Sequence, residues 1–401
     1  MASLSPFVVQ NPLQSNADIL RRVAEYAHDT QFLFFALVSR GWRIGWGSNR
    51  PRITRAVTSD STISQLRYSF DSGLTRSAVI CKAIAGFGNL SLLIWARMFD
   101  CPWRSTTCSA AASGGHLEVL KWCRANGCSW DTTTCSRAAR RGHLKVLQWA
   151  RQNGCRWDAE TCSSASAGGH LKILQWAREH SCIWDSRTCT DAAKGGHLHI
   201  LQWARENGWP WNTWTCREAA RHGHLDVIKW AKEVGVDWYE HTCLGAAEGG
   251  HLDILSWARA NGCSWDQRTF EAAAKAGNLQ VLRWLRLNGC PWDMHACTGA
   301  AAAGHLHVLQ WLRLNGCPWD EQTCAWAAAR GQLDMLRWAR MEGAPWDELT
   351  CLAAAFRGEL NTLKWAREHG CPWTAAVCNA ARVGGHYGVL VWARANDCPE
   401  Q

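Results

Sequence analysis

The sequence predicts an all-α protein, a right-stacked α-solenoid of about twelve helix-turn-helix units of 27 residues, preceded by a small helical N-terminal segment. Three observations lead there. Twelve of the 28 Trp stand on one arithmetic series with a step of 27, from Trp95 to Trp392. Eleven more form a parallel series eight residues later, from Trp103 to Trp373, so only Trp42, Trp46, Trp209, Trp214 and Trp326 fall outside the repeat. Between these positions small and apolar residues recur at helical spacing, and Gly closes each run.

The elements follow in chain order. In residues 1–50, Asn16 can cap a helix with Ile19, Leu20 and Val23 on one face, and Thr30 to Val38 reads as a second apolar helix before Trp42. Residues 51–79 read as a linker and a degenerate half-unit, with Leu66 and Tyr68 where Leu93 and Trp95 stand one unit later. Residues 80–401 are the array. The first helix of a unit is seen after Trp319: Asp320 can cap it, Cys324, Ala327 and Ala328 sit at i, i+3 and i+4, and Gly331 supplies a left-handed stop. Small side chains on that face let neighbouring helices approach closely. The second helix, His305 to Asn315, is apolar at Leu306, Val308, Leu309, Trp311 and Leu312, an arc of roughly 220° at 100° per residue. Such a helix must be covered on more than one side, so each unit completes its core only against its neighbours. Asn315-Gly316 ends it, and Cys317-Pro318-Trp319 is the connector.

With 47% apolar and 19% charged residues the chain is neither disordered nor fibrous. The start, MASLSPFVVQ, lacks the charged and apolar regions of a secretory signal, so a cytoplasmic or nuclear rather than secreted protein is expected. The longest uncharged stretch, 19 residues between Asp293 and Arg313, contains His295, His305, His307 and Gln310 and is too polar for a membrane span. The 21 Cys are therefore expected as reduced thiols.

The stretch Gly115-His-Leu-Glu-Val-Leu-Lys-Trp-Cys-Arg-Ala-Asn-Gly-Cys128 resembles the second half of an ankyrin repeat. Thr134-Cys135-x-x-Ala-Ala-x-x-Gly-His143 is similar to its opening motif. The unit is about six residues shorter than the 33-residue period of that family, and the loss falls between Trp-Asp and Thr-Cys, where the family's β-hairpin fingers project. Trimmed or absent hairpins are expected. The resemblance implies a non-enzymatic, monomeric protein-interaction scaffold with protein partners held on the inner helix face that remains. Further upstream, Asp18-Ile19-Leu20 followed by Phe35-Ala-Leu37-Val38-Ser39-Arg40-Gly-Trp42-Arg43 resembles a degenerate F-box. Its Leu-Pro opening is represented only by Asn11-Pro12-Leu13, and Ser39 stands where Cys is common. That resemblance implies an alternative function, the substrate receptor of a cullin ubiquitin ligase, with Ile19, Leu20, Leu37, Val38 and Trp42 holding a Skp-type adaptor. The other reading of the segment is a capping helix pair.

Three columns carry chemistry-bearing side chains. Cys fills eleven first-helix slots and nine connector slots, but where it is replaced the substitutes are Phe270, Trp209, Val236 and Ala344, never another metal ligand. The column therefore reads as a small buried hydrophobe rather than a zinc or redox ladder, and no metal is expected. Disulfides between equivalent Cys of adjacent units would need Cα atoms within about 7 Å, less than the repeat spacing. His recurs after the glycines, and its replacements, Asn89, Asn278, Gln332 and Glu359, mark the column as polar caps rather than a ligand set. Two residues after each Trp of the first series stands Arg, or Lys232 in one unit. With the net charge of +9 these cations could form a polyanion track, but their stems fit packing against the connector, and seven Trp-Asp connectors would neutralise them locally, which makes nucleic acid an unfavoured partner.

No Ser/His/Asp, paired-carboxylate or Gly-rich phosphate constellation stands out, so no catalytic residue and no cofactor are expected. If the framework is structural, specificity lies where units differ: Arg137, Arg140, Asp191, Lys194, Arg217, Glu218, Arg221 and Arg330 on the first helices, with Trp214 and Trp326 as anchors that no column requires.

Overall fold

The structure, a computed structural model, describes residues 61–71, 74–208, 213–236, 238 and 240–398. Ile19, Leu20, Leu37, Val38 and Trp42 lie outside the described residues. Among the described residues the regular elements are twenty-five α-helices, with no strand, and none is long and apolar enough to cross a membrane. The chain divides into two compact units, Met1–Thr188 and Cys189–Gln401.

In the first unit the helix Ile63–Asp71, with Leu66 buried, precedes the pairs. First helices such as Ser105–Ser113 and Thr132–Arg140 alternate with second helices such as Leu117–Ala125 and Leu144–Gln152, and successive first helices pack directly on one another. The second unit repeats this arrangement from Thr213–Arg221 to Ala376–Val383. Close approach follows from side-chain size, since the buried face of a first helix is Cys135, Ala138 and Ala139, or Cys324, Ala327 and Ala328. The second helices supply the bulk of the core through pairs such as Val146–Leu147 and Val308–Leu309, each side chain contributing about 1.5–3 kcal/mol on burial.

Helix starts are set by the connector aspartates. Asp131, Asp266, Asp293 and Asp347 have extended backbones and accept from the amide two residues on. The sequence suggested that these carboxylates neutralise the arginine column; instead they cap their helices, and among the described residues none forms an ion pair with a column arginine. Asp320 holds the cap position without a cap bond, and its Oδ1 instead accepts from the Thr298 hydroxyl of the preceding first helix at 3.5 Å. Only four residues separate Gly127 from the helix that starts at Thr132, which leaves no room for a hairpin.

Two glycine columns have left-handed backbones for different reasons. At the end of a second helix Gly127 (φ 82°) lets the Cys128 amide donate to the Cys123 carbonyl at 2.9 Å, and a Cβ there would meet nothing within 4 Å. Asp100, Ser181 and Asp397 occupy the same slot with φ of 56°, 61° and 59°. At the end of a first helix Gly115 (φ 76°) lies under the imidazole of His143, 2.6 Å from where its Cβ would stand. That imidazole reaches back one unit. Nε2 of His143 donates to the Ser113 carbonyl at 3.1 Å, as His116 does to Gly86 at 3.1 Å and, in the second unit, His224 to Lys194 at 3.1 Å. The His column is therefore a set of ties between units, not caps of its own helices. Asn278 both caps, accepting from Val281, and ties, donating to the Gly250 carbonyl at 3.4 Å.

All 21 Cys are buried and free. The thiols that meet are 20 residues apart within one pair, such as Cys135 and Cys155, a proximity that comparing equivalent positions of adjacent units misses. The connector thiol also donates to the backbone at the entry of its pair, Cys155 to the Asp131 carbonyl at 3.4 Å and Cys317 to Asp293 at 3.3 Å, closing entry on exit. Burial pushes the thiols of Cys189, Cys216 and Cys324 up to about 12. In Cys135, Cys162 and Cys351 the hydrogen bond to the partner thiol, together with burial, raises them further.

Gly127→Ala is expected to cost about 1 kcal/mol, whereas Gly115→Ala costs about 2–4 kcal/mol because backbone strain and the His143 clash combine. In denaturant titrations, His143→Ala should recover part of the second loss but none of the first. Ser181→Gly should stabilise the chain by about 1 kcal/mol, since it removes a Cβ from a left-handed residue. Ellman's reagent at pH 8 should find almost no reactive thiol in the folded chain and 21 after denaturation; fast reaction of several native thiols would contradict the sealed core.

Candidate partner-binding surface

The second helices and connectors make a framework that recurs along the described residues. Arg124 at the end of a second helix lays its guanidinium 4.2 Å from the centroid of the connector Trp130 and donates to the Cys128 carbonyl at 2.5 Å. Trp130 in turn meets the Trp149 of the following second helix, at 5.8 Å and 66°. The same unit of three appears as Arg286 on Trp292 at 4.2 Å with Trp292 edge-on to Trp311 at 6.3 Å, and as Arg367 on Trp373 at 4.6 Å with Trp392 at 5.9 Å. Among the described residues both Trp columns are half-buried rather than enclosed, because rings such as Trp130 lie between the ends of two second helices.

What varies is the exposed face of the first helices. On Thr132–Arg140, Arg137 and Arg140 are exposed and form no ion pair among the described residues. In the second unit Asp191 is half-buried and Lys194 exposed. The helix Thr213–Arg221 gathers the expected residues into one cluster. Trp214 is 50% exposed, and the Arg217 guanidinium lies 4.9 Å from its ring centroid. Glu248 of the next first helix receives Arg217 at 2.5 Å and lies 3.7 Å from Arg221. Glu218 completes the group, 3.9 Å from Arg221 and 3.7 Å from His222. Beside the indole, His241 stands edge-on at 6.1 Å, and Glu240 binds Arg268 of the following helix at 2.7 Å.

Sequence reasoning missed Glu248, His241, Glu240 and Arg268. A signal existed, since Glu248 and His241 stand one unit after Arg221 and Trp214, and Arg268 one unit after His241. Beneath the indole, Arg217 Nε, His241 Nδ1 and one oxygen of Glu248 are buried without a hydrogen-bond partner.

Trp326 is not part of this cluster. It is 38% exposed on Glu321–Ala329, in the slot that holds Glu218 in its own unit, and Arg330 beside it is exposed. Met294, Leu349 and Phe356 are also exposed on the neighbouring first helices Met294–Ala303 and Glu348–Arg357. The first-helix face of the second unit thus passes from charged around Trp214 to apolar around Trp326. Among the described residues no group of three or more potential ligands could hold a metal ion.

The family model for ankyrin repeats (many copies) matches residues 108–151 and 189–232. Both segments open on a first-helix Cys, Cys108 and Cys189, and close on the column cation, Arg151 and Lys232, so they lie in one register. No curated protein matches the chain. Among solved structures the chain is similar to the human ASB11 ankyrin repeat domain, with 18% identity over 46% of this chain and 98% of that one, at a TM-score of 0.36. It is also similar to the pentatricopeptide repeat protein PPR10 in complex with an 18-nt psaJ RNA element, with 14% identity and a TM-score of 0.35. That match covers 96% of this chain, which spans just under two thirds, 66%, of the PPR10 chain. The chain carries ankyrin repeats at residues 108–151 and 189–232, and both segments lie in register with its 27-residue period.

Proposed function

We propose that the chain is a non-enzymatic scaffold that holds a partner protein on the exposed face of its first helices, with Trp214 as the principal anchor and Trp326 as a second. The observation that carries this reading is the support under Trp214: its ring is half in solvent, yet Arg217 is stacked on it and fixed from below by Glu248. A large aromatic held rigid by a charged pair has the character of an interface hot spot.

A second reading rests on the N-terminal pattern. With Ile19, Leu20, Leu37, Val38 and Trp42 holding a Skp-type adaptor, the array would present its captured protein to a cullin ligase.

Affinity purification of the full chain, followed by quantitation with variants, tests the first reading. Trp214→Ala should release the principal partner by about 30-fold with little change in thermal stability, and Glu248→Gln by several-fold. Full retention by Trp214→Ala and Trp326→Ala alike would remove the first-helix face as the binding surface. Adaptor co-purification that is lost on deleting residues 1–50 supports the second reading, and failure to recover adaptor removes it.

A further inference from the structure

Three consecutive pairs of the second unit expose an apolar residue that the framework does not need. Leu287, Leu314 and Met341, each the last residue of a second helix, are 85%, 87% and 85% exposed. The same slot elsewhere is filled by Gln152, Glu179, Glu206, Glu233 and Glu368, by Ala125, Ala260 and Ala395, and by an isolated exposed Met98, so the fold accepts polar and charged side chains there. Four residues on, the connectors of these same pairs carry exposed prolines, Pro291, Pro318 and Pro345. The two sets together form a narrow apolar row along the connector edge, where the family's fingers would otherwise stand.

We propose that this row docks an acidic amphipathic helix of a partner protein whose apolar residues recur every seven positions. Two arguments select that occupant. Neighbouring helices stack roughly 8–10 Å apart, and seven residues of an α-helix rise about 10.5 Å, so a helix laid along the stack can place one apolar side chain on each of the three anchors. The charge is complementary as well. The second helices Leu279–Leu287, Leu306–Leu314 and Leu333–Met341 carry five Arg and a single Asp. Arg283, one turn before Leu287, is exposed and has no carboxylate partner among the described residues. Arg337, one turn before Met341, is exposed, lies 5.9 Å from the Trp365 ring centroid and has among the described residues one carboxylate partner, Asp334 at 3.9 Å. Acidic residues flanking the apolar stripe of the partner would meet these two arginines. The site uses helix ends and connectors rather than the first-helix face, and so stands or falls apart from the reading centred on Trp214.

The probe is a fluorescein-labelled peptide of about 21 residues with Leu at every seventh position and Glu on both flanks, titrated with the full chain by anisotropy. Micromolar binding that weakens with salt is expected, reduced about 10-fold or more by Leu314→Glu and several-fold by Arg283→Glu, and unchanged by Trp214→Ala. All three substitutions are at exposed positions, and a thermal melt checks that the fold is intact. A peptide of the same composition with the Leu spacing scrambled, and one with Lys for Glu, should not bind. No binding of the heptad peptide, or binding indifferent to Leu314→Glu, overturns the proposal. So does a chain dimer in sedimentation that Leu314→Glu dissociates, which assigns the row to a second copy. Leu314-dependent binding to phosphatidylserine vesicles without peptide binding likewise assigns it to a membrane surface and overturns the helix.

Discussion

The contact on which the array depends is the connector indole, covered by the arginine of its own pair and edge-on to the indole of the next second helix. A pair of nine-residue helices such as Thr132–Arg140 and Leu144–Gln152 cannot enclose an arc as wide as that of its second helix. Trp130 closes the gap on one side, at 4.2 Å from Arg124 and 5.8 Å from Trp149. A cation over a ring contributes about 0.5–2 kcal/mol and an edge-to-face aromatic pair about 0.5–1.5 kcal/mol beyond burial, so each junction is modest alone. Repetition within each compact unit makes such junctions cooperative, because a pair that loses a neighbour exposes the whole face packed against it.

The other ties serve the same end from the opposite rim. His143 crosses to the Ser113 carbonyl and needs Gly115 beneath it, since a methyl group would stand 2.6 Å from the ring. The Cys155 thiol joins the exit of its pair to the entry at Asp131. Junctions are thus fixed at the Trp edge and the His edge by two unrelated interactions, while the Cys bond closes each pair on itself. With the junctions so determined, the exposed face of the first helices is free to vary, and charge gathers around Trp214 while apolar surface gathers around Trp326.

The periodicity made most of the architecture legible. Trp95 and Trp122, Cys108 and Cys135, and Gly127 and Gly154 each report a constraint copied every 27 residues, and a constraint repeated that often survives substitution at any one copy. Trp214 and Trp326 were legible as candidates for the converse reason, since no column requires them. The partners of Trp214 were not. Arg217 and Glu248 are 31 residues apart, and nothing in either residue alone says that the two helices bring their charged ends to 2.5 Å.

The sequence by itself determined the period, the helix pair, the trimmed connector and the positions that carry framework, because each follows from local spacing and side-chain volume. Only the tertiary structure decided what the columns do. The histidines tie units rather than cap helices, the aspartates cap helices rather than pair with the arginine column, and the column arginines settle on indoles and carbonyls. Each of these side chains had two partners within chemical reason, one in its own helix and one supplied by its surroundings. Which one it takes depends on where stacking places the neighbouring carbonyl or ring, and distances across that stack are set by the packing of Ala, Cys and Trp rather than by any spacing along the chain.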